Sequence, residues 1–102
     1  MILYHATPTK YFQSIKAEGL QPHRSTGKRK EIYLHTASKR SWAILHTQRR
    51  HHTTDVVLLE VKVSRKHLTR RWRGLWSCPV PITQFENIIH ADEISQSPIT
   101  EG

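Results

Sequence analysis

Cysteine is nearly absent from this chain: Cys78 is the only one in 102 residues, so no internal disulfide can form. A single thiol beside Pro79 in an apolar run is expected to be buried or half-buried rather than nucleophilic. No apolar run approaches the roughly 20 residues that cross a bilayer, and no leader-like segment begins the chain. These absences predict a soluble, cytoplasmic protein without a membrane partner.

Acidic residues are also scarce, with 8 Asp and Glu against 16 Lys and Arg and a formal net charge of +8. Such an excess concentrates polyanions near a protein, although it can also serve only to keep a small protein soluble. The cations are clustered, which favours an anionic partner. A chain of this length predicts one domain, taken as residues 1–95, followed by a polar tail over 96–102.

Two helices are predicted from their end signals. The first covers 8–18, with Thr7 as the N-cap and Gly19 as the left-handed residue that ends it. The second covers 38–49 and begins at Ser38 as its N-cap. We expect the inner side of this second helix to be formed by Trp42, Ala43 and Leu45.

Strands account for most of the remaining chain. The clearest is 55–63, whose near-continuous β-branched and large apolar residues predict a central strand covered on both faces. The segment 64–68 is predicted to form one helical turn, and 23–30 a basic loop. The other strands are predicted at 2–5, 32–34, 75–80 and 87–94. The order β-α-β-α-β-β-β predicts an α+β domain with a bent, mostly antiparallel sheet and two helices.

Several short segments, taken in order, resemble the ADP-ribosyltransferase superfamily of the histidine type. They are Tyr4-His5-Ala6-Thr7, Gly19-Leu20 and Tyr33-Leu34-His35-Thr36-Ala37. The strand Val56–Val61, Gly74-Leu75-Trp76 and Val80-Pro81 are similar to the branch that includes RNA 2′-phosphotransferases and DNA-modifying toxins. The resemblance implies a small ADP-ribosyltransferase-like fold that uses NAD.

The resemblance also implies roles for residues of the first two segments. His5 would hydrogen-bond a ribose hydroxyl on the nicotinamide half of NAD, unless it is a core histidine bonded to a neighbouring carbonyl. Ala6 replaces the usual glycine and still permits backbone contacts to nicotinamide if its φ is negative. Thr36 would lie along the same ribose as a catalytic hydroxyl. The further residues expected to bind the cofactor are Tyr4, Thr7, Tyr33 and His35.

The resemblance offers one candidate for a catalytic carboxylate. Glu86, in Gln84-Phe85-Glu86, is similar to a Q-x-E pattern whose glutamate anchors the ribose 2′-hydroxyl and orients the nucleophile. The same stretch also resembles a structural turn in relatives that lack this glutamate. The other carboxylate, Glu60, is expected to pair with a basic residue on the sheet surface.

Arginines are expected to bind phosphates, because a planar guanidinium contacts two oxygens at once. Arg24 is assigned to the cofactor by resemblance, and Trp72 and Trp76 could stack a base or belong to the core. No metal site is expected, since two histidines without a third ligand are a poor signal. The arginines assigned to a nucleic acid are Arg49, Arg50, Arg70, Arg71 and Arg73.

Three functions remain open at this point. The first is an NAD-dependent transferase acting on a nucleic acid or phosphorylated acceptor. The second is a module that has lost this chemistry and binds nucleic acid or a protein partner. The third is a protein-directed toxin with an antitoxin partner. The chain is expected to be a monomer, or a small homodimer formed through an exposed strand edge.

Overall fold

The computed structural model describes residues 1–25 and 29–91. Within them, six strands form one antiparallel sheet in the order β4-β5-β2-β1-β3-β6, accompanied by two α-helices. The predicted α+β class is therefore confirmed. The strands are β1 Ile2–Pro8, β2 Ile32–His35, β3 Val56–Lys62, β4 Thr69–Trp72, β5 Leu75–Cys78 and β6 Asn87–His90; the helices are α1 Phe12–Glu18 and α2 Arg40–His51.

The strand β3 is buried on both faces, as its apolar run predicted. Val57 and Leu59 point into a cluster that Phe12 and Ile15 contact from the α1 side, and this face is called the α1 face below. The alternate β3 residues point into a second cluster with Ile44 of α2, which defines the α2 face. Because successive side chains of a strand alternate between faces, an uninterrupted apolar run suits a strand that is covered twice.

The first helix begins later than its end signals predicted. Thr7 is not an N-cap, because β1 continues to Pro8 and Thr7 pairs with Val57 in a buried position. A 3-10 turn over Thr9–Tyr11 then leads into α1. The end of the helix was predicted correctly, since Gly19 adopts a φ of 79° there.

The second helix also differs from its prediction. Ser38 lies in a 3-10 turn that precedes α2, and no side chain caps the helix start. Ala43 faces the sheet as predicted, but Trp42 and Leu45 point outward, with 54% and 44% of their surface exposed. The buried positions are Ala43, Ile44 and Thr47, because a helix packed against a sheet buries only the stripe that faces it.

One strand was missed altogether. The segment Thr69–Trp72 pairs with β5 as an edge strand, and Trp72 lies opposite Leu75 across the two-residue turn Arg73-Gly74. Its basic, exposed residues lack the apolar alternation that indicates a strand. The predicted helical turn is confirmed as a 3-10 turn over Arg65–His67.

The last strand of the sheet, β6, is shorter than predicted. The last strand ends at His90, and positions 92–94 of its predicted range, together with the 96–102 tail, lie outside the described residues. Cys78 is fully buried, as expected, and its thiol donates to the Val80 carbonyl at 3.4 Å. No helix in the described part of the chain is long and apolar enough to cross a membrane.

Candidate functional site

The two strands that carry the family-like segments, β1 and β2, are neighbours but meet at only one register pair, Tyr4 with His35. In contrast, every residue of β1 has a partner on β3, and every residue of β2 has one on β5. The β1–β2 junction is therefore the weakest seam in the sheet.

His5 lies at this seam and joins its two sides. Its Nδ1 donates a hydrogen bond to the backbone carbonyl of Tyr33 at 2.8 Å. A bond to a neighbouring carbonyl was one of the two alternatives that the sequence analysis gave for His5. Burial lowers the pKa of His5, and the Tyr33 carbonyl opposes that effect in part. A neutral ring that donates through Nδ1 keeps a lone pair on Nε2, so this histidine can accept one further hydrogen bond.

Strand alternation divides the predicted site residues between two faces. Tyr4 and His35 share the α2 face, whereas their chain neighbours His5 and Thr36 share the α1 face. His5 and Thr36 lie on either side of the register pair, about 7 Å apart along the strand direction. Ala6 and Tyr33 follow the alternation onto the α2 face, away from His5, and Ala6 lacks the positive φ that would require glycine.

Thr36 is held by the turn between β4 and β5. Its backbone N–H donates to the Gly74 carbonyl at 3.0 Å, and its hydroxyl lies 3.2 Å from the hydroxyl of Ser38. Gly74 has a φ of 80°, and a Cβ there would lie 2.6 Å from Cγ of Lys39 and 3.2 Å from the Thr36 hydroxyl. The family-like segments Tyr33–Ala37 and Gly74-Leu75-Trp76, far apart in sequence, therefore meet at this point.

An open groove of about 500 Å³ surrounds Thr36 and is called the Thr36 groove below. Three of its side chains, Lys39, Arg70 and Arg73, are cationic, and none of the three forms an ion pair within residues 1–25 and 29–91. The groove is thus positively charged at its mouth. Its walls include Thr36, Ser38, Lys39, Arg70, Arg73 and Trp76.

A second open groove, of about 390 Å³, lies on the other face of the sheet at the edge strand β4 and is called the Trp72 groove. The indole of Trp72 is 74% exposed, the largest exposed fraction of any apolar side chain among the described residues. Arg70 lines both grooves, so they share a wall. The Trp72 groove is lined by Arg29, Tyr33, Arg70, Arg71, Trp72 and Leu75.

On the α2 face, His35 is packed into an aromatic stack. Its ring lies 5.4 Å from Trp42, which stacks on His46 at 4.8 Å between ring centroids. Both ring nitrogens of His35 are buried without a hydrogen-bond partner. Burial, and then the charges of His5 and His46, lower the pKa of His35 to about 4. His35 is therefore a neutral packing residue at neutral pH, on the face away from Thr36.

The predicted catalytic carboxylate does not reach the seam. Glu86 precedes β6, where its backbone N–H donates to the Glu60 carbonyl at 2.8 Å. Because β6 lies two strands from β1, Glu86 is roughly 10 Å from His5 and further from Thr36. The turn before it has a structural role, since buried Ile82 bridges to Leu20.

Glu60 differs from its prediction as well. Its two carboxylate oxygens accept hydrogen bonds from the Tyr4 hydroxyl at 3.1 Å and from the Asn87 amide at 3.0 Å. No basic residue pairs with it in the described part of the chain. A cation beside this network is Arg40, whose guanidinium lies over the Tyr4 ring at 5.3 Å. Tyr4 is thus a buried structural residue whose hydroxyl already has a partner.

The predicted phosphate-binding arginines are spread over three parts of the surface. Arg24 pairs with Glu18 at 2.9 Å, with both side chains half exposed. Arg71 is engaged with Glu31 at 2.7 Å and with the Ser77 hydroxyl at 2.8 Å. Arg49 and Arg50 occupy the last turn of α2, whereas Arg70 and Arg73 belong to the β4–β5 hairpin at the sheet edge.

Two cations of the grooves, Arg29 and Lys39, were missed. No local pattern marks either residue: Gly74 could have indicated the β4–β5 turn, but Arg29 and Lys39 come from other parts of the chain that the fold brings to this edge. No group of three or more histidine, cysteine, aspartate or glutamate residues that could hold a metal occurs in the described ranges.

A scan of the chain against models of protein families and a search of curated proteins found no match.

Proposed function

We propose that this chain is an ADP-ribosyltransferase-type domain that binds NAD in the Thr36 groove and acts on a nucleic acid. The observation that carries the proposal is the convergence of three family-like segments. By strand alternation His5 of β1 and Thr36, which directly follows β2, lie on the same side of the sheet, although His5 does not line the groove. The turn that begins Gly74-Leu75-Trp76 holds Thr36 by a backbone hydrogen bond of 3.0 Å. Chance resemblance in separate segments has no reason to bring them together.

The chemistry of the groove suits a dinucleotide. Its volume of about 500 Å³ falls within the range of roughly 300–1,000 Å³ that small-molecule sites occupy. Lys39, Arg70 and Arg73 have no carboxylate partner among the described residues, and their three positive charges exceed the two negative charges of a pyrophosphate diester. Trp76 adds an apolar wall against which a ring can pack.

NAD would supply an ADP-ribosyl group, with nicotinamide as the leaving group. Thr36 would hydrogen-bond the ribose through its hydroxyl. Neutral His5 does not line the groove, so it would accept a hydrogen bond at Nε2 from a ribose hydroxyl that extends from the groove along β1. The three cations would hold the pyrophosphate. Catalysis by these residues would rest on orientation, which supports large rate gains when the reacting groups are held in place.

Labelled NAD provides the direct test, with release of nicotinamide and transfer of label measured in the presence of RNA, DNA or protein. We expect Thr36→Val to reduce NAD affinity and nicotinamide release about tenfold, because it removes a hydroxyl and keeps the side-chain shape. Thr54→Val is the matched control, since Thr54 is exposed beyond the far end of α2. Absence of NAD binding by calorimetry and of nicotinamide release with any acceptor would refute the proposal.

One observation favours a second function, a binding module without chemistry. Glu86 lies two strands from β1, so no carboxylate of the resemblance stands beside His5. Under this alternative the protein binds a polyanion whether or not NAD is present. Glu86→Gln then leaves the affinity for the polyanion unchanged. If NAD binds and nicotinamide is never released, this alternative replaces the first.

A further inference from the structure

We infer that the Trp72 groove binds single-stranded nucleic acid, with one base stacked on Trp72 and the neighbouring phosphates held by Arg29 and Arg70. The inference rests on the proposed function in one respect, because it names the acceptor class of the same enzyme. Its binding step does not require NAD and is tested without it.

Trp72 is presented to solvent by a rigid element. It pairs with Leu75 at the end of the β4–β5 hairpin, so its backbone is fixed while 74% of its surface remains exposed. It belongs to neither hydrophobic cluster of the sheet. An indole held this way has an open π-face for a ring to stack on, and every base has such a face.

The charge around Trp72 is complementary to phosphate. Arg71 is neutralised by Glu31 at 2.7 Å, and this pair is mostly buried, so it stabilises the wall of the groove. Arg29 and Arg70 line the same groove and form no ion pair within the described residues. A guanidinium can bind two phosphate oxygens at once, so these two arginines suit successive phosphates of a strand.

The dimensions select a single strand over a duplex. A groove of about 390 Å³ accepts a base-sized group beside the indole, whereas a duplex hides the faces of its bases in its own stack. Stacking on Trp72 therefore requires an unpaired base. A peptide phosphorylated on serine or threonine would satisfy the arginines, but its phosphorylated side chain would bring no ring to the indole.

The shared wall links this groove to the proposed reaction site. Arg70 lines both grooves, and Thr36 lies in the second one. A strand that stacks on Trp72 and follows Arg70 round the edge strand β4 therefore approaches the opposite face of the sheet, where Thr36 lies.

The experiment measures binding of a fluorescent oligonucleotide of roughly ten nucleotides, a length within the usual site sizes, by anisotropy in the absence of NAD. We expect Trp72→Ala to weaken binding about tenfold or more, since one base–aromatic stack is lost. Trp42→Ala is the matched control, because Trp42 is also exposed but lies on α2, and it should change the affinity less than twofold.

Salt dependence tests the arginines. Arg70→Gln and Arg29→Gln should each lower the slope of log K against log salt by about 0.7, the value for one phosphate contact on a single strand. Equal affinity for a duplex, equal effects of the two tryptophan variants, or tighter binding of a phosphopeptide would overturn the inference. Oligonucleotide binding without nicotinamide release would overturn the proposed enzyme activity and support the Trp72 groove as a binding site. Nicotinamide release without oligonucleotide binding would support the enzyme activity and overturn this inference.

Discussion

His35 gives this fold a calculable acid sensitivity, and replacing it with phenylalanine should remove that sensitivity. The folded-state pKa of about 4 lies below the ordinary value of 6.5, so the unfolded chain binds the proton more tightly. The stability that depends on a neutral His35 is therefore complete above pH 6.5 and is lost as the pH falls towards 4. Between pH 7.5 and 5 the full shift corresponds to about 2 kcal/mol, and solvent screening of this partly exposed ring reduces it to about 1 kcal/mol.

The assay is urea denaturation of wild type and His35→Phe at pH 7.5 and pH 5. His35→Phe keeps a ring against Trp42 and removes two buried nitrogens that have no partner. We expect the variant to equal or exceed wild type at pH 7.5 and to gain a further 1 kcal/mol or so at pH 5. His23→Phe is the control, because His23 is exposed on the 3-10 turn Pro22–Arg24. A constant difference between wild type and His35→Phe at the two pH values would refute this reasoning.

The remaining predictions concern backbone strain and a partly buried ion pair. Gly19→Ala and Gly74→Ala should each lower the free energy of unfolding by about 1–3 kcal/mol, because both positions have φ near 80° and contact atoms within 3 Å of a Cβ. Only Gly74→Ala should also weaken NAD binding, since its carbonyl holds Thr36; equal NAD affinity in the two variants would contradict that link. Arg71→Met should lower the free energy of unfolding by about 1–2 kcal/mol, because it leaves Glu31 unpaired. Adding Glu31→Gln should restore part of that free energy in a double-mutant cycle. No recovery in the double variant would show that Arg71 stabilises by packing alone.

The parts of the fold that were predictable from sequence carry strong local signals. The apolar run of β3 indicated a strand covered on both faces, and Gly19 marked the end of α1 through its positive φ. The starts of both helices were not predictable, because neither uses the side-chain cap that the sequence offered. Thr7 remains in the sheet since its pairing with β3 outweighs its preference for a cap.

The site was predictable only where it depends on strand alternation. The placement of His35 beside Tyr33 on one face followed from the period of two, and the same rule places Thr36 on the other face with His5. The position of Glu86 depends on strand order, which puts β3 between β1 and β6. No local sequence pattern contains the strand order, so the distance between Glu86 and His5 could be known only from the folded chain.

The single register pair between β1 and β2 divides the sheet into two three-stranded blocks, β4-β5-β2 and β1-β3-β6. Along the chain the blocks alternate: the first strand belongs to one, the second to the other, the third to the first again. Neither block is therefore a contiguous fragment of the chain, and neither can be excised by cutting the chain once. Such interleaving raises the sequence separation of the contacts within each block, so both blocks depend on pairing between distant parts of the chain, which slows folding.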